Sequence, residues 1–179
     1  MDDIEYQRLF FALWPPVSVQ EYLYTQFNKK LSSWQGRQIA VSNLHLTLLF
    51  LGNVGRLQQD CLESLASQIR LPAFNLNLQL LTYHRKQQML WLEPDRIPDA
   101  LLQLVDQLHE VAQKCEIRRD IFPFKAHMTI MKKIRKPPDM TEISPYSWPV
   151  HDFVLVASKT LQDGAEYQVI KTWPLLDTD

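Results

Sequence analysis

The sequence predicts an α+β fold whose sheet is mainly antiparallel, and three observations support that fold class. Residues 74–80 alternate strictly between apolar and polar side chains, as strands with one solvated face do. Apolar residues recur at helical spacing in three stretches, near residues 18–33, 57–69 and 98–115. The predicted strands and helices are interleaved, but the strands are not apolar throughout, which disfavours a doubly wound parallel sheet.

The composition is that of a single globular domain covering residues 1–179. Of the 179 residues, 46% are hydrophobic, which is enough to bury one sizeable core. The formal net charge of −1 gives no overall reason to expect nucleic acid as a partner. Residues 114–136 differ, because they carry eight basic and two acidic residues. A positive field in that stretch would favour an anionic substrate.

The first half of the chain predicts two strands and two helices, each with a recognisable end. They are, in order, a buried strand at residues 6–14, a helix at about 18–33, an apolar strand at 39–51 and a helix at 57–69. Two prolines close the first strand, and Ser18 with Glu21 forms a capping-box signature at the start of the first helix. Gly52 ends the second strand, and Pro72 stops the second helix.

The second half predicts two hairpins, a helix and one further strand. The hairpins pair strands 74–80 and 89–93 across a polar turn at 84–88, and strands 153–158 and 167–173 across the turn 162–164. Between them lie a helix opened by Pro98, a strand at His127 and a Pro-rich polar loop at 136–149. Each hairpin follows a strand of similar sequence, so the order indicates two halves.

The two similar strands share the pattern His-x-Thr followed by an apolar residue, at residues 45–48 and again at 127–130. Side chains on a strand alternate between its faces, so His and Thr project from one face and their apolar neighbours from the other. The apolar row of the first copy is Leu44, Leu46, Leu48 and Phe50. If the two strands share a cleft, it holds a general base, a general acid and two hydroxyl donors.

A single His-x-Thr occurs often by chance in half-buried strands, so one copy alone would indicate nothing. Two copies 82 residues apart use two of only five histidines, His45 and His127, and that coincidence favours a functional interpretation. We interpret His84 as an exposed turn residue and His109 as solvated, and we assign no catalytic role to either or to His151.

Other segments of the chain, together with the two motifs, resemble a known protein family. The two motifs resemble those of the 2H phosphoesterase superfamily, and other segments are similar to its bacterial RNA 2',3'-cyclic phosphodiesterase branch, also called 2'-5' RNA ligase. These segments are Arg8-Leu9-Phe10-Phe11-Ala12, Asn43-Leu44 before the first motif, Leu51-Gly52, Pro123-Phe124, and Ser158-x-x-Leu161-x-x-Gly164-x-x-Tyr167. They occur in order over nearly the whole chain, which makes the resemblance far more specific than either motif alone.

The resemblance implies both an architecture and an activity. The expected fold is bilobal, with two pseudo-symmetric α+β halves, outer helices, and one His-x-Thr strand from each half facing a central groove. The expected activity needs no metal or other cofactor and converts RNA ends bearing a 2',3'-cyclic phosphate to 2'-phosphates. His45 is then the proton donor and His127 the proton acceptor. Thr47 and Thr129, with Lys132, would hold the non-bridging phosphate oxygens, and the protein is expected to act as a monomer without a membrane.

Two positions depart from the family pattern. Lys132 stands where an Arg commonly follows the second motif, and Lys can neutralise a phosphate but cannot form the planar bidentate pair that Arg makes. Ala126 replaces a Pro that is usual before the second His. Neither change removes a proton-transferring group, so they bear on affinity and substrate range. The basic residues around His127 predict a lowered pKa for that ring, whereas nothing comparable surrounds His45 in sequence.

Other function classes remain open at this point. A metal hydrolase would use His45 and His127 as ligands, but no His-x-x-x-His or carboxylate stands at ligand spacing near either. A non-enzymatic module that binds RNA ends would show binding without turnover. Related enzymes would act on 2'-5' linked oligonucleotides or small cyclic nucleotides, or would form 2'-5' bonds by the reverse reaction.

The two cysteines and the start of the chain bear on where in the cell the protein is located. Cys61 and Cys115 make neither a disulfide framework nor a zinc pattern, and both fall on the apolar stripes of predicted helices. We therefore expect buried free thiols in a reducing compartment. The chain begins without the basic region of a signal peptide, and the apolar stretch 9–14 is too short for a signal core or a membrane span. The resulting prediction is a cytoplasmic protein.

Overall fold

The computed structural model of the chain describes residues 6–31, 34–118, 123–136, 143–162 and 164–177. Within these ranges the strands are β1 (Gln7–Leu13), β2 (Arg37–Gln38), β3 (Leu46–Val54), β4 (Phe74–His84), β5 (Met89–Pro94), β6 (Met128–Lys132), β7 (Tyr146–Val150), β8 (Asp152–Leu161) and β9 (Gly164–Pro174). The helices are α1 (Val17–Leu31), α2 (Arg56–Ala66) and α3 (Asp99–Lys114). None of the helices so described is long and apolar enough to cross a membrane.

The described strands form one antiparallel sheet in the order β7-β4-β5-β6-β3-β1-β8-β9, with β2 paired to β6. Its centre is the β3–β6 contact, where Leu46 pairs with Met128. The two sides of this contact repeat one unit, because β1-α1-β3 and β5-α3-β6 are each two antiparallel strands joined through a helix. The α+β class and the two similar halves are therefore confirmed.

The hairpins are exchanged between the halves relative to the sequence prediction. The hairpin β4–β5 follows the first His-x-Thr strand along the chain, but it pairs with β6, which carries the second. The hairpin β8–β9 follows the second motif and pairs through β1 with the half that carries the first. The order of elements along the chain does not determine which strands pair. The sequence prediction assigned each hairpin to the motif strand that precedes it, and that assignment was wrong.

The helices cover one face of the sheet and build the core there. Leu9, Phe11 and Leu13 of β1 point to this face and are fully buried together with apolar residues of α1, α2 and α3. The opposite face carries a smaller cluster on the β1 side: Phe10, Ala12, Val154 and Val156, with Trp14 and Tyr167 packed against them. The groove described below opens on this second face.

Two strand predictions are corrected by the structure. The apolar strand predicted over 39–51 begins only at Leu46, because a 3-10 turn occupies Val41–Asn43 and β2 pairs separately. The Pro-rich segment predicted as a loop contains β7, which pairs with β4. Pro149 is tolerated because β7 lies at the sheet edge, where a missing N–H need not break a ladder. Helix α1 begins at Val17, one residue before the predicted cap Ser18.

The expectation of free thiols is wrong, since Cys61 and Cys115 form a disulfide. Cys61 lies on α2 and is partly buried, and Cys115 directly follows α3 and is buried. Helix α2 packs against α3, so the stripe that carries Cys61 meets the end of α3, and the two Cα atoms lie 5.8 Å apart, within the range a disulfide spans.

Some sequence predictions fall outside the described residues. They concern residues 1–5 at the start of the chain, the end of the first helix at 32–33, part of the Pro-rich segment at 137–142 and the turn residue at position 163. Two members of the charged stretch, at positions 119 and 120, lie there as well.

Candidate active site

A groove of about 590 Å³ runs across the centre of the sheet on the face away from the helices. All five residues singled out by sequence line it: His45, Thr47, His127, Thr129 and Lys132. They come from the two central segments of the sheet, so the two motifs contribute to one site.

The register of the central strands explains why these residues meet. Leu46 pairs with Met128, and both are fully buried in the core beneath the sheet. Because neighbouring side chains on a strand point to opposite faces, the residues on either side of each buried one project into the groove. Each His-x-Thr motif therefore has its middle residue in the core and its His and Thr on the open face, as predicted.

Both imidazoles are tied back to the main chain in the same way. The Nδ1 atom of His45 lies 2.7 Å from the carbonyl oxygen of Asn43, and Nδ1 of His127 lies 2.8 Å from that of Lys125. A carbonyl oxygen only accepts, so each Nδ1 must carry the proton and donate. In the neutral ring the unprotonated nitrogen is then Nε2, which can accept a proton. Both rings are thus fixed in the tautomer that a general base requires.

Aromatic side chains surround the ring of His45. Trp14 is stacked on it at 5.0 Å between ring centroids, and Phe10 and Tyr167 each lie 5.2 Å away. Burial lowers the pKa of His45 from 6.5 to about 4, with Lys132 and His127 also lowering it and the Asn43 hydrogen bond opposing. In the free protein, His45 is a neutral ring in an apolar cage.

The ring of His127 has a different environment. Trp91 is stacked on it at 3.8 Å, and the pKa of His127 is lowered chiefly by burial. The hydrogen bond to the Lys125 carbonyl and the carboxylate of Glu93 raise this pKa, whereas electrostatic interactions with His84 and Lys125 lower it. The surroundings of His127 are therefore more polar than those of His45, and they include an acidic group.

The surroundings of the two rings contradict the expectation that His127 alone has a lowered pKa. The basic residues near His127 in sequence were expected to lower its pKa selectively, but burial is the largest cause at both rings. Lys132, moreover, acts on the ring of His45. A charge affects whatever lies near it across strands, and that proximity is not visible along the chain.

A bulge in β6 brings Lys132 into the groove. Leu90 pairs with Met131 but Trp91 pairs with Thr129, so β6 has one extra residue, Ile130. Ile130 and Met131 are consequently both buried, and the next residue returns to the open face. Lys132 thus shares the face of Thr129 although the two are three residues apart.

The same bulge occurs in β3 and overturns one sequence prediction. Phe11 pairs with Leu49 but Ala12 pairs with Thr47, which makes Leu48 the extra residue. Phe50 was expected in the apolar row with Leu48, yet it is 36% exposed and lines the groove. Phe50 and Lys132 are equivalent positions, each five residues after its His.

Sequence reasoning missed two arginines of the groove, Arg8 and Arg37. Arg8 lies over the ring of Phe50 at 4.8 Å, and alternation along β1 with Phe10 could have placed it on the open face. Arg37 had no such signal, because it lies in a two-residue strand. Its Nη2 lies 2.3 Å from where a Cβ on Gly164 would be, and Gly164 has a φ of 142°, a conformation that favours glycine.

The charges that line the groove are all positive. Its cations are Arg8, Arg37, Lys132 and Lys133, and the residues described as lining it include no carboxylate. Such a site attracts an anion with more than one negative group. Within the described residues, no group of three or more His, Cys, Asp or Glu could hold a metal ion.

Comparisons with known proteins agree with this geometry. The family model of the 2'-5' RNA ligase superfamily matches residues 15–160. The RNA 2',3'-cyclic phosphodiesterase of Escherichia coli (strain K12) is 32% identical over 176 residues, covering 96% of this chain and 98% of the relative. The RNA 2',3'-cyclic phosphodiesterase of Archaeoglobus fulgidus is 28% identical over 177 residues, covering 93% and 99%.

A solved structure shows the same fold. The crystal structure of E. coli LigT complexed with 3'-AMP has a TM-score of 0.88 and 31% identity, covering 96% of this chain and 99% of that one. The family match includes both His-x-Thr motifs, and the relatives and the solved structure cover nearly the whole chain. The chain belongs to the 2'-5' RNA ligase superfamily, whose members are 2H phosphoesterases.

Proposed function

We propose that this protein is an RNA 2',3'-cyclic phosphodiesterase that opens terminal cyclic phosphates to 2'-phosphates with two histidines. The observation that carries the proposal is the pair of imidazoles on one face of a cationic groove, each with Nδ1 bound to a carbonyl and Nε2 left for proton transfer. Relatives from two organisms that carry this name, aligned over nearly the whole chain, support it.

The reaction requires two proton transfers and one bond exchange at phosphorus. Water attacks the phosphorus in line with the 3' oxygen, the bond between phosphorus and the 3' oxygen breaks, and the 2' oxygen keeps the phosphate. One imidazole accepts the proton of the attacking water at Nε2 while the other, protonated, donates a proton to the departing 3' oxygen. The strained ring contains its own leaving group, so these transfers and charge stabilisation are sufficient.

By resemblance, His127 accepts the proton from water and His45 donates to the leaving oxygen. In the free protein the pKa of His45 is about 4, so this ring must gain its proton in the complex. A bound phosphate supports that gain, because a negative charge beside an imidazole favours its protonated form. Partial burial of His45 among aromatic rings strengthens this attraction.

The remaining groove residues bind the substrate in this proposal. The hydroxyls of Thr47 and Thr129 flank the imidazoles on the same face and are donors for the non-bridging oxygens. Lys132 adds a positive charge, which lowers the energy of the extra negative charge in the transition state. Arg8 and Arg37 extend the cationic surface beyond the two motifs, which fits an RNA strand better than a mononucleotide.

The assembly and the location follow as further parts of the proposal. We propose that residues 1–179 act as one domain and as a monomer, because the two motifs of a single chain already bring both histidines into one groove. The proposed location is the cytoplasm, where the RNA substrate occurs. Thiols are kept reduced there, so the fold should tolerate the open form of the disulfide between Cys61 and Cys115.

The decisive experiment is turnover of a short RNA with a 2',3'-cyclic end in the presence of a chelator, with the product end identified. A 2'-phosphate product from the wild-type protein and none from His45→Ala or His127→Ala supports the proposal. Tight binding without turnover would indicate an RNA-end-binding module, and activity lost on chelation would indicate a metal hydrolase.

The matched family description also names a ligase, so the reverse reaction is the second candidate. Adding an RNA with a free 5' hydroxyl to the same assay tests it. A 2'-5' linked product that forms faster than the 2'-phosphate would make ligation the main activity.

A further inference from the structure

The hairpin β4–β5 carries a cluster of polar and aromatic side chains next to His127 that the proposed mechanism does not use. One face of this hairpin, with Leu81, Leu90 and Leu92, is buried in the core. The other face continues the groove side of β6, because Trp91 pairs with Thr129. That face carries Thr82 and His84 from β4, and Trp91 and Glu93 from β5.

Three rings in this cluster are in contact. The indole of Trp91 is stacked on the imidazole of His127, with ring centroids 3.8 Å apart, and the imidazole of His84 lies 3.6 Å from the Trp91 centroid at a tilt of 32°. Trp91 is 8% exposed, so both of its faces are covered. His84 therefore contacts the ring on which His127 is stacked.

A carboxylate is held beside the stack. Glu93 accepts a hydrogen bond from the hydroxyl of Thr82, and its other oxygen lies 3.6 Å from Nε2 of His84. That nitrogen is buried and makes no hydrogen bond to any described residue, so this carboxylate is the ionic group beside it. Both contacts hold the negative charge of Glu93 on the side of the hairpin that faces His127.

We propose that His84 and Glu93 are positioning residues for His127: His84 clamps Trp91 against the His127 ring, and the Glu93 carboxylate stabilises the positive charge that this ring carries when protonated. A base that removes a proton from water becomes an imidazolium, so the carboxylate acts when that charge develops. The proposal assigns both residues to the proposed reaction and rests on that function. It reinterprets His84, which sequence alone indicated to be an exposed turn residue.

The charges facing His127 come from several elements. Glu93 on β5 raises the pKa of His127, and His84 on β4 and Lys125 ahead of β6 lower it. His45, ahead of β3, interacts with it across the groove. Glu93 is the only one of these groups with a negative charge, so removing its charge should lower the pKa of His127.

The charge test uses NMR titration of the His127 ring, which reads its protonation without turnover. Glu93→Gln keeps the shape and removes the charge, and we expect the pKa of His127 to fall. Asp95→Asn is the matched control, because it removes the same charge from an exposed position just beyond the same strand. An identical His127 titration in the two variants would refute the role of Glu93.

The clamp test compares two substitutions of His84. His84→Phe keeps a ring on Trp91, and we expect exchange of the His127 Nδ1 proton to stay within about threefold of wild type. His84→Ala removes the ring, and we expect exchange roughly tenfold faster and kcat roughly tenfold lower. Equal exchange in the two variants would refute the clamp. A wild-type protein without turnover would refute the proposed function alone, since both NMR measurements stand without it.

Discussion

The two histidines of the groove have the same backbone setting and different surroundings. Each donates from Nδ1 to the carbonyl two residues earlier, each precedes a buried residue and a Thr, and each strand then carries a one-residue bulge. Around His45, however, the neighbouring rings are Phe10, Trp14 and Tyr167. Around His127, Trp91 is backed by a polar hairpin with Glu93.

This difference separates what the repeated backbone does from what the side chains do. The backbone places two identical tautomers on one face, and the cages then give the two rings different proton affinities. In the free protein burial lowers the pKa of both rings, and a nearby carboxylate, Glu93, opposes this effect at His127, while the resemblance makes His45 the donor. The substrate phosphate must therefore raise the pKa of His45 in the complex, and that requirement can be tested.

The largest effect is expected from removing either imidazole. His45→Ala and His127→Ala should each lower kcat by roughly 10²–10⁴-fold, the usual worth of a positioned acid or base. The double variant should lose little more than the worse single variant, because the two groups act in the same step. Single-turnover rates with a cyclic-phosphate RNA measure these losses. A loss below threefold in either variant would remove that residue from the mechanism.

The roles of the two rings are separated by a change in the leaving group. A substrate with sulfur in place of the bridging 3' oxygen departs as a thiolate and needs no proton. We expect it to restore most of the activity of His45→Ala and little of that of His127→Ala. The opposite pattern would assign the donor role to His127, the ring whose pKa is raised by the carboxylate of Glu93.

The cage of His45 should also make the protein sensitive to acid. Its pKa is about 4 when folded and 6.5 ordinarily, so the unfolded chain binds a proton that the folded protein does not. Stability is therefore fully present above pH 6.5 and falls as the pH decreases towards 4, by about 3 kcal/mol from this ring. His127 contributes in the same direction.

Urea unfolding across this pH range measures the effect, with His45→Gln as the variant that cannot titrate. The free energy of unfolding of His45→Gln should fall less steeply below pH 6.5 than that of wild type. If the unfolding free energies of the two proteins change equally with pH, the aromatic rings around His45 do not lower its pKa. The proposed difference between the surroundings of His45 and His127 would then be wrong.

Local patterns predicted the parts of the site that depend on alternation. The placement of His45, Thr47, His127 and Thr129 on one face follows from a period of two, which any short strand obeys. The bulges break that period at Leu48 and Ile130, so the face of Phe50 was predicted wrongly and that of Lys132 was left open.

Contacts between distant segments were beyond the reach of the sequence patterns. The pairing of β4–β5 with β6 decides that Glu93 and His84 lie near His127, and nothing local to these residues indicates it. The disulfide between Cys61 and Cys115 likewise depends on how α2 packs on α3. Which strands pair and how the helices pack depend on the whole core, because any arrangement that removes apolar surface from water is stabilised.

The smallest expected effect concerns Lys132, which also distinguishes the two rings. Lys132 lowers the pKa of His45 and is absent from the causes that act on His127. Lys132→Met should therefore raise the pKa of His45, leave that of His127 nearly unchanged, and raise KM roughly tenfold through the lost phosphate contact. Lys132→Arg should keep or improve binding, because a guanidinium can contact two phosphate oxygens at once. If Lys132→Met leaves KM, kcat and the His45 titration as in wild type, the side chain does not reach the phosphate, and the equivalence of positions 50 and 132 is one of backbone alone.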